Sequence, residues 1–482
     1  MAISYHKVPA PGTLARTSSC RSGADVPPSD GHNARVSAYV RAVALPWALA
    51  ALTVMLSITL GWRHRASALA GAGAGVALLF LGGLLGPSDL RATAVVLWRP
   101  LLTITSVMLM TACARHVGLF AALAELVEPT TRGPVRRAFR LVFVISALTA
   151  SLLSNDAAIL VLTPTVITLL RTVYPRRHPK FTLAFSFAVF YSAGVAPLVT
   201  GNPMNVVVAS HAGIGFNAYA LTMVPVAVVG WLVAYPLLAR QFALELADEA
   251  PALGAWPSAP ARLGARGMVV VLAMAAVLAA YPVISYFDGP LWMVATIGAV
   301  VCVLTAMQVP VGADPTAVAS THGAATPSAL RVIAGETSWE LLPFLAAVLL
   351  VASGLAKAGL ADALAEVLRA SPAPLPTMGL LSAAGAAAIN NHPMAMLGSM
   401  AVSQLGHGAE ANALTLAGLV GGDLGPRLLP IGSLAGLLWI GALRRHGVEL
   451  TVRRFIHIGV VVTVPSLLAS LATLWLMTYL TR

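Results

Sequence analysis

The sequence predicts an all-α polytopic membrane protein, with about 10–12 membrane segments in two inverted-topology repeats. Three observations carry that reading. Hydrophobic residues make up 58% of the chain and charged residues 10%, far from the balance of a soluble domain. Apolar stretches recur at 43–60, 66–84, 101–113, 221–238, 268–284, 291–307, 341–355 and 455–480. Most approach the ~20 residues that a bilayer core demands. Finally, each half carries one polar break inside an apolar run. Ser154-Asn155-Asp156 interrupts 141–170, and Asn390-Asn391-His392-Pro393 interrupts 378–402. Polar groups at membrane depth are costly and are expected where they line a site. Two breaks in corresponding halves point to a midplane site for a small solute.

The elements follow in order. Residues 1–38 are polar and rich in Ser, Pro and Gly, the composition of a disordered tail. The stretch 43–60 is too long for a cleaved signal peptide and reads as the first membrane helix. The first repeat is expected over 39–238, a linker with mixed charges and prolines over 239–266, and the second repeat over 267–482. Arg132, Arg136, Arg137 and Arg140 precede the first break, and Arg171, Arg176, Arg177 and Lys180 follow it. The positive-inside rule puts both flanks in the cytoplasm. Arms at 141–153 and 157–170 are too short to cross, so the segment reads as a re-entrant hairpin. Around the second break, 371–411 contains no Lys or Arg, and its flanks read as outside. The same device then occurs twice with opposite orientation. The basic residues of the tail and the pair Arg63 and Arg65 claim one side for both ends of 43–60, which leaves the N-terminal orientation open.

A second interruption follows each hairpin: Gly201-Asn202-Pro203-Met204-Asn205 and Gly421-Gly422-Asp423-Leu424-Gly425-Pro426-Arg427. Glycine and proline weaken helical hydrogen bonding, so both are expected to be unwound. Arg444, Arg445, Arg453 and Arg454 close the second segment on the cytoplasmic side.

These motifs resemble those of the arsenical-pump membrane protein family. Ser154-Asn155-Asp156-Ala157-Ala158-Ile159-Leu160-Val161-Leu162-Thr163-Pro164 is similar to its N-D-G-A-A-L-I-L-T-P segment. Gly422-Asp423-Leu424-Gly425-Pro426-Arg427, with Pro430-Ile431-Gly432-Ser433-Leu434-Ala435 after it, resembles C-D-L-G-P-K-x-T-P-I-G-S-L-A. Asn390-Asn391-His392-Pro393 looks like its N-N-x-P tip, and the likeness runs from about residue 98 to the C-terminus. Two departures stand out. The family places an aspartate shortly before the first unwound helix, where this chain reads Tyr191-Ser192-Ala193-Gly194-Val195-Ala196-Pro197, and its S-N-L-V-N becomes Gly201-Asn202-Pro203-Met204-Asn205. The resemblance implies export of arsenite, with antimonite beside it, across a bacterial inner membrane in exchange for protons. A sodium/proton antiporter or an organic-anion carrier of the same superfamily is the alternative. A separate ATPase subunit, used by some members, and a second copy of the chain are the protein partners left open.

Asp156 and Asp423 are the proton-coupling candidates, because a carboxylate at membrane depth needs a partner or a purpose; the plain alternative is helix capping. Asn155, Asn202, Asn205, Asn390 and Asn391 offer uncharged donors and acceptors, which suit the neutral polyhydroxyl solute that the resemblance implies. Ser433, within the resembling motif, joins them as a substrate-binding candidate. Each of these side chains otherwise serves the backbone at a helix break. Arg427 is expected as the charge partner of Asp423, or else at the cytoplasmic surface. His392 reads as a packed neutral ring, Gly71 and Gly75 as a close helix contact, and 119–126 and 361–368 as interfacial amphipathic arms. On those arms Glu125, Asp362 and Glu366, with Glu128 beyond, are expected to be solvated.

Several classes are disfavoured. The net charge of +12 gathers in no basic domain, so nucleic acid is not an expected partner. Cys20, Cys113 and Cys302 are widely separated and spell neither a disulfide framework nor a metal site. His-Glu-x-x-His, Gly-x-Ser-x-Gly and phosphate-loop patterns do not occur, so neither an enzyme nor a cofactor is expected.

Overall fold

Helix is the only regular secondary structure among the described residues of the computed structural model, which are 30–61, 67–125, 133–174, 177–247, 263–311 and 328–480. Five stretches there are long and apolar enough to cross a bilayer: Pro87–His116, Phe216–Gln241, Ala265–Tyr286, Ala329–Lys357 and Val452–Leu480. Shorter apolar helices, among them Val43–Thr59, Ser67–Leu81 and Leu291–Ala306, pack between them. Most of the polar tail, with Cys20, lies outside the described residues, as do Glu128 and the middle of the linker.

The chain opens with α1 (Asp30–Gly61) and α2 (Ser67–Leu81). Residues 30–38, expected to belong to the tail, are already helical, which is the polar extension of a helix that the apolar run beyond it anchors. As expected from the small-residue spacing, α1 and α2 touch backbone to side: a Cβ on Gly71 would lie 2.5 Å from the Met55 carbonyl oxygen, and one on Gly75 3.0 Å from that of Ala51. Helix α3 (Pro87–His116) starts well before the apolar run at 101. Pro87 occupies its first turn, and the Asp89 carboxylate accepts the Gly86 N–H at 2.8 Å, a start signal that the hydropathy of 101–113 does not contain. Asp89 also holds Lys357 at 2.7 Å.

The remaining helices are α4 (Leu119–Glu125), α5 (Val135–Leu152), α6 (Asn155–Val173), α7 (Pro179–Ser192), α8 (Pro203–Ala212), α9 (Phe216–Gln241) and α10 (Ala243–Leu246) in the first half. The second half contributes α11 (Ala265–Tyr286), α12 (Leu291–Ala306), α13 (Ala329–Glu336), α14 (Leu341–Lys357), α15 (Leu360–Ala370), α16 (Pro374–Ile389), α17 (Asn391–Ser403), α18 (Ala409–Leu424), α19 (Leu434–Arg445) and α20 (Val452–Leu480).

Their packing repeats itself. Helix α2 lies on α14 of the other half, and α12 lies on α3. Within each half, α5 contacts α6 and α7, as α16 contacts α17 and α18. Across the halves, α6 packs on α19 and α17 packs on α8. The long helices α9 and α20 lie against each other, with the Ser470 hydroxyl donating to the Val226 carbonyl at 3.3 Å. An aromatic knot seals the centre: Trp439 of α19 is fully buried and stacks on Phe190 of α7 at 4.4 Å between ring centroids.

Both expected hairpin breaks are present. Helix α5 gives way to α6 at Leu153-Ser154, and α16 to α17 at Asn390. The helices of the first pair have 18 and 19 residues, longer than the apolar arms, because the helix begins inside the basic cluster around Arg136 and Arg137. Those of the second pair have 16 and 13.

The unwound segments fall in a different register from the one expected. The first spans 193–202 with a 3₁₀ turn at Val199–Gly201, and the second spans 425–433 with one at Gly425–Arg427. Pro203–Asn205 is helical because proline suits the first turn of a helix, where its missing N–H costs nothing, and Asn202 caps that turn. Gly421 and Gly422 stay within α18, which needs small residues where it meets α16 at Gly421 and Met204 of α8 at Gly422. Helix α15 buries Ala361, Ala365 and Leu368 on one face, as an amphipathic arm should. Its Asp362, half-buried, accepts an exposed hydrogen bond from the Gln404 amide at 2.9 Å.

A cavity at four helix starts

Two clusters of site residues result, one built on hydrogen bonds and one around a cavity. The first centres on Asp423, at the end of α18 and only 4% exposed. Its carboxylate crosses to the unwound segment of the first half. Oδ1 accepts from the Asn202 side-chain amide at 2.6 Å, and Oδ2 accepts from the Ala196 backbone N–H at 2.9 Å and the Asn205 amide at 3.1 Å. The amide of Asn205 also donates to the Tyr219 hydroxyl at 2.7 Å, which passes its own proton to the Ala196 carbonyl at 3.0 Å. Tyr219 lies in α9 with no exposed surface. Its only sequence signal is a phenol inside an apolar helix, where a buried hydroxyl usually has a partner. The acid that the resembling family carries ahead of its first unwound helix is missing from 191–197; here the carboxylate arrives from the other half.

Arg427 takes neither place expected for it. It is buried, 4% exposed, and its guanidinium donates to backbone carbonyls: those of Asp423, Phe190 and Ala193. It forms no ion pair with the Asp423 carboxylate. The fork closes the C-terminal ends of α7 and α18 together, where helix carbonyls lack partners and the dipole is negative. The faces of Phe190 and Tyr191 lie 5.3 and 5.9 Å from it, a cation–π setting.

The hairpin tips each bind the unwound segment of their own half. The amide of Asn155 donates to the Gly194 carbonyl at 3.2 Å, and the Asn391 backbone N–H donates to the Gly432 carbonyl at 3.0 Å. Asn390 caps α17 through its side-chain oxygen and the His392 N–H at 3.3 Å, with a left-handed φ of 80°. His392 is a buried ring against the edge of Phe344, centroids 5.6 Å apart, with Nδ1 beside the Asn391 amide oxygen at 2.9 Å. Ser433 caps α19 by accepting the Gly436 N–H at 3.0 Å, the counterpart of Asn202, which accepts the Met204 N–H at 3.1 Å.

Asp156 stands apart from all of these. It lines a cavity of about 230 Å³ together with Ser154, Thr200, Pro203, Leu434 and Leu341. Among the described residues its carboxylate makes no hydrogen bond or ion pair. Thr200, 5% exposed, presents a buried hydroxyl without a hydrogen-bond partner in the same wall. The first residues of α6, α8, α14 and α19 all border the space. Four helix starts therefore bring the positive ends of their dipoles to one cavity. Such ends favour negative or oxygen-rich groups, and two acids are set among them: Asp156 and the exposed Glu340, which precedes α14. Ile104, Val107, Val161 and Leu438 make part of the remaining wall apolar.

Arg115 and Glu336 also line this cavity and face each other at 3.6 Å. Arg115 puts a basic group in the cavity wall. Neither residue had a local signal, since they lie at the ends of α3 and α13, more than two hundred positions apart in the chain. Among the described residues no group of three His, Cys, Asp or Glu is placed to hold a metal ion.

The comparisons with known proteins accord with this architecture. Over 447 residues the chain is 30% identical to an arsenical pump membrane protein of Escherichia coli, covering 89% of this chain and 98% of that protein. It is 28% identical to the arsenical pump membrane protein of Yersinia enterocolitica over 88% of its length and 96% of the relative. Its fold is similar to that of the YdaH transporter of Alcanivorax borkumensis, known from a crystal structure, with a TM-score of 0.52 and 17% identity over 91% of this chain and 98% of that one. Residues 48–478 match the model of one family, a match that begins earlier than the motif resemblance at about residue 98. This multi-pass membrane protein belongs to the arsenical pump membrane protein family, ArsB.

Proposed function

We propose that the chain is a secondary carrier that exports arsenite, and antimonite in the same way, in exchange for protons. The observation that carries this reading is the unpaired carboxylate of Asp156 in a cavity bordered by four helix starts. Liquid water takes about 30 Å³ per molecule, so about 230 Å³ admits one small solute with some of its hydration. Arsenous acid is neutral and carries three hydroxyls. The positive ends of the helix dipoles and the Thr200 hydroxyl suit its oxygens, and ionised Asp156 suits its O–H donors. A protonated Asp156 loses acceptor capacity. Proton and solute then compete for one carboxylate, which is the requirement for exchange.

The family relatives are named as arsenical pumps, which supports the choice of solute. Matched packing in the two halves and opposite loop charges support an inverted repeat, 39–238 against 267–482, with both hairpins re-entrant. The hairpin tips and unwound segments would move as one part against a scaffold that includes α3 and α14. Asn155, Asn391 and the caps Asn202, Asn390 and Ser433 serve this site by holding helix starts in place.

Arsenite flux into inverted vesicles, driven by an imposed pH gradient, tests the proposal. Asp156→Asn should retain downhill flux and lose the response to the gradient; near-normal gradient-driven flux in that variant overturns the assignment. A second reading, an organic-anion carrier, is favoured by Arg115 in the cavity wall. Uptake of a dicarboxylate in place of arsenite would select it, and sodium-driven flux would select a cation antiporter.

A further inference from the structure

We propose that Asp423 is a positioning residue, a latch through which the second half sets the cavity wall of the first, and not a carrier of protons. The inference rests on the cavity at Asp156 being the transport site.

The carboxylate faces only donors. Asn202, Ala196 and Asn205 bring three N–H groups to its two oxygens. The amides cannot turn to offer oxygen instead. The side-chain oxygen of Asn202 is committed to the Met204 N–H at 3.1 Å. The Asn205 amide nitrogen is shared with the Tyr219 hydroxyl at 2.7 Å, and that hydroxyl is oriented by the Ala196 carbonyl at 3.0 Å. Three of the carboxylate's four lone-pair sites accept N–H donors, and a proton on the fourth, at Oδ1, would remove the charge that strengthens all three bonds. Asp423 also does not line the cavity, whereas the backbone it grips does: the segment from Ala196 to Asn205 carries Thr200 and Pro203 into the wall. One turn further on, Arg427 clasps the chain just ahead of that segment, at Phe190 and Ala193. Ionised Asp423 is thus a fixed part of the wall's geometry, and of the two acids at the chain's polar breaks Asp156 is left as the one that exchanges its proton.

The two sides of the latch can be interchanged. In the double variant Asn202→Asp, Asp423→Asn, the new amide at 423 would donate to the new carboxylate at 202. Its carbonyl, with two lone pairs, would accept from Ala196 and Asn205, and the carboxylate at 202 would still cap α8. Both single variants break the set: one removes an acceptor, the other sets two carboxylates face to face.

The experiment uses full-length protein in vesicles, reading arsenite flux against concentration and protons moved per arsenite, beside the melting temperature in detergent. Asp423→Asn should raise KM about tenfold, the scale of one lost charge-assisted hydrogen bond, with protons per arsenite unchanged. The double variant should recover most of that loss. Asp423→Asn protein that keeps downhill flux but loses its response to a pH gradient overturns the proposal. So does a double variant no better than the worse single one. Should Asp423→Asn fail to fold, the double variant decides by folding and coupling normally or not. If wild-type protein moves no arsenite, the functional reading fails separately; failure of the double variant to recover the melting temperature lost in the singles would still overturn the latch.

Discussion

Gly421→Ala is the substitution whose cost the packing of α18 on α16 defines most directly. A Cβ at Gly421 would lie 2.2 Å from the Gly379 carbonyl oxygen and 2.8 Å from both the Ala383 nitrogen and the Ser382 Cβ. Ordinary contact is about 3.5 Å or more, so the two helices must part by roughly 1 Å. Two of the three atoms are backbone, and no side-chain rotation relieves them. Overpacking of this kind costs about 1–3 kcal/mol. Alanine returns about 1 kcal/mol through its better helix propensity, which leaves a net loss of up to about 2 kcal/mol. At roughly 2–4 °C per kcal/mol the melting temperature should fall, by at most about 4–8 °C. Gly73 supplies the control, because it lies inside α2 with nothing within 4 Å of its would-be Cβ. Gly73→Ala should raise the melting temperature by about 2–4 °C. Thermal unfolding of purified protein in one detergent reads both. Shifts of the same sign, or a Gly421→Ala protein at least as stable as wild type, refute the reasoning.

Arg427→Met should cost about 2–4 kcal/mol, because it leaves the carbonyls of Asp423, Phe190 and Ala193 without their buried donor; Arg427→Lys, with three donors on one nitrogen, should lose less, and both are read as melting temperature. Asn390→Gly should stay within about 1 kcal/mol of wild type, since glycine accepts the φ of 80° at no steric cost, whereas Asn390→Ala keeps the strain, loses the cap and should fall by about 2–3 kcal/mol. Tyr219→Phe removes the hydroxyl between Asn205 and Ala196 and should destabilise by about 1–3 kcal/mol. Thr200→Val keeps shape and removes a buried hydroxyl without a protein partner, so stability should hold or rise while arsenite KM increases several-fold; an unchanged KM would take Thr200 out of the binding wall.

How legible the site was depended on whether each feature is local. The hairpin breaks at Asn155 and Asn390 were readable because polar residues in an apolar run are visible in one window. The capping side chains Asn202 and Ser433 were named, although as solute ligands. The limits of the unwound segments were not readable, since glycines 421 and 422 look like breakers until α16 and Met204 of α8 lie against them, and Pro203 looks like one until it starts a helix. The partners of Arg427 and the cavity residues Arg115 and Glu336 come from remote parts of the chain, and no spacing announces them. The departure at 191–197 was visible as a missing acid; that Asp423 from the other half supplies a carboxylate there was not.

The exchange of helix partners between halves bears on how the molecule is made. A chain emerging N-terminus first completes α2, α3, α6 and α8 long before α14, α12, α19 and α17 exist to cover them. Individual helices can insert and wait, because lipid satisfies their apolar faces. The unwound stretch at 193–202 has no such refuge until Asp423 and Arg427 are synthesised. The first half is accordingly a substrate for quality control during synthesis, and the second half acts as its template. Fragments 30–247 and 263–480 should each be degraded when produced alone and should assemble when produced together.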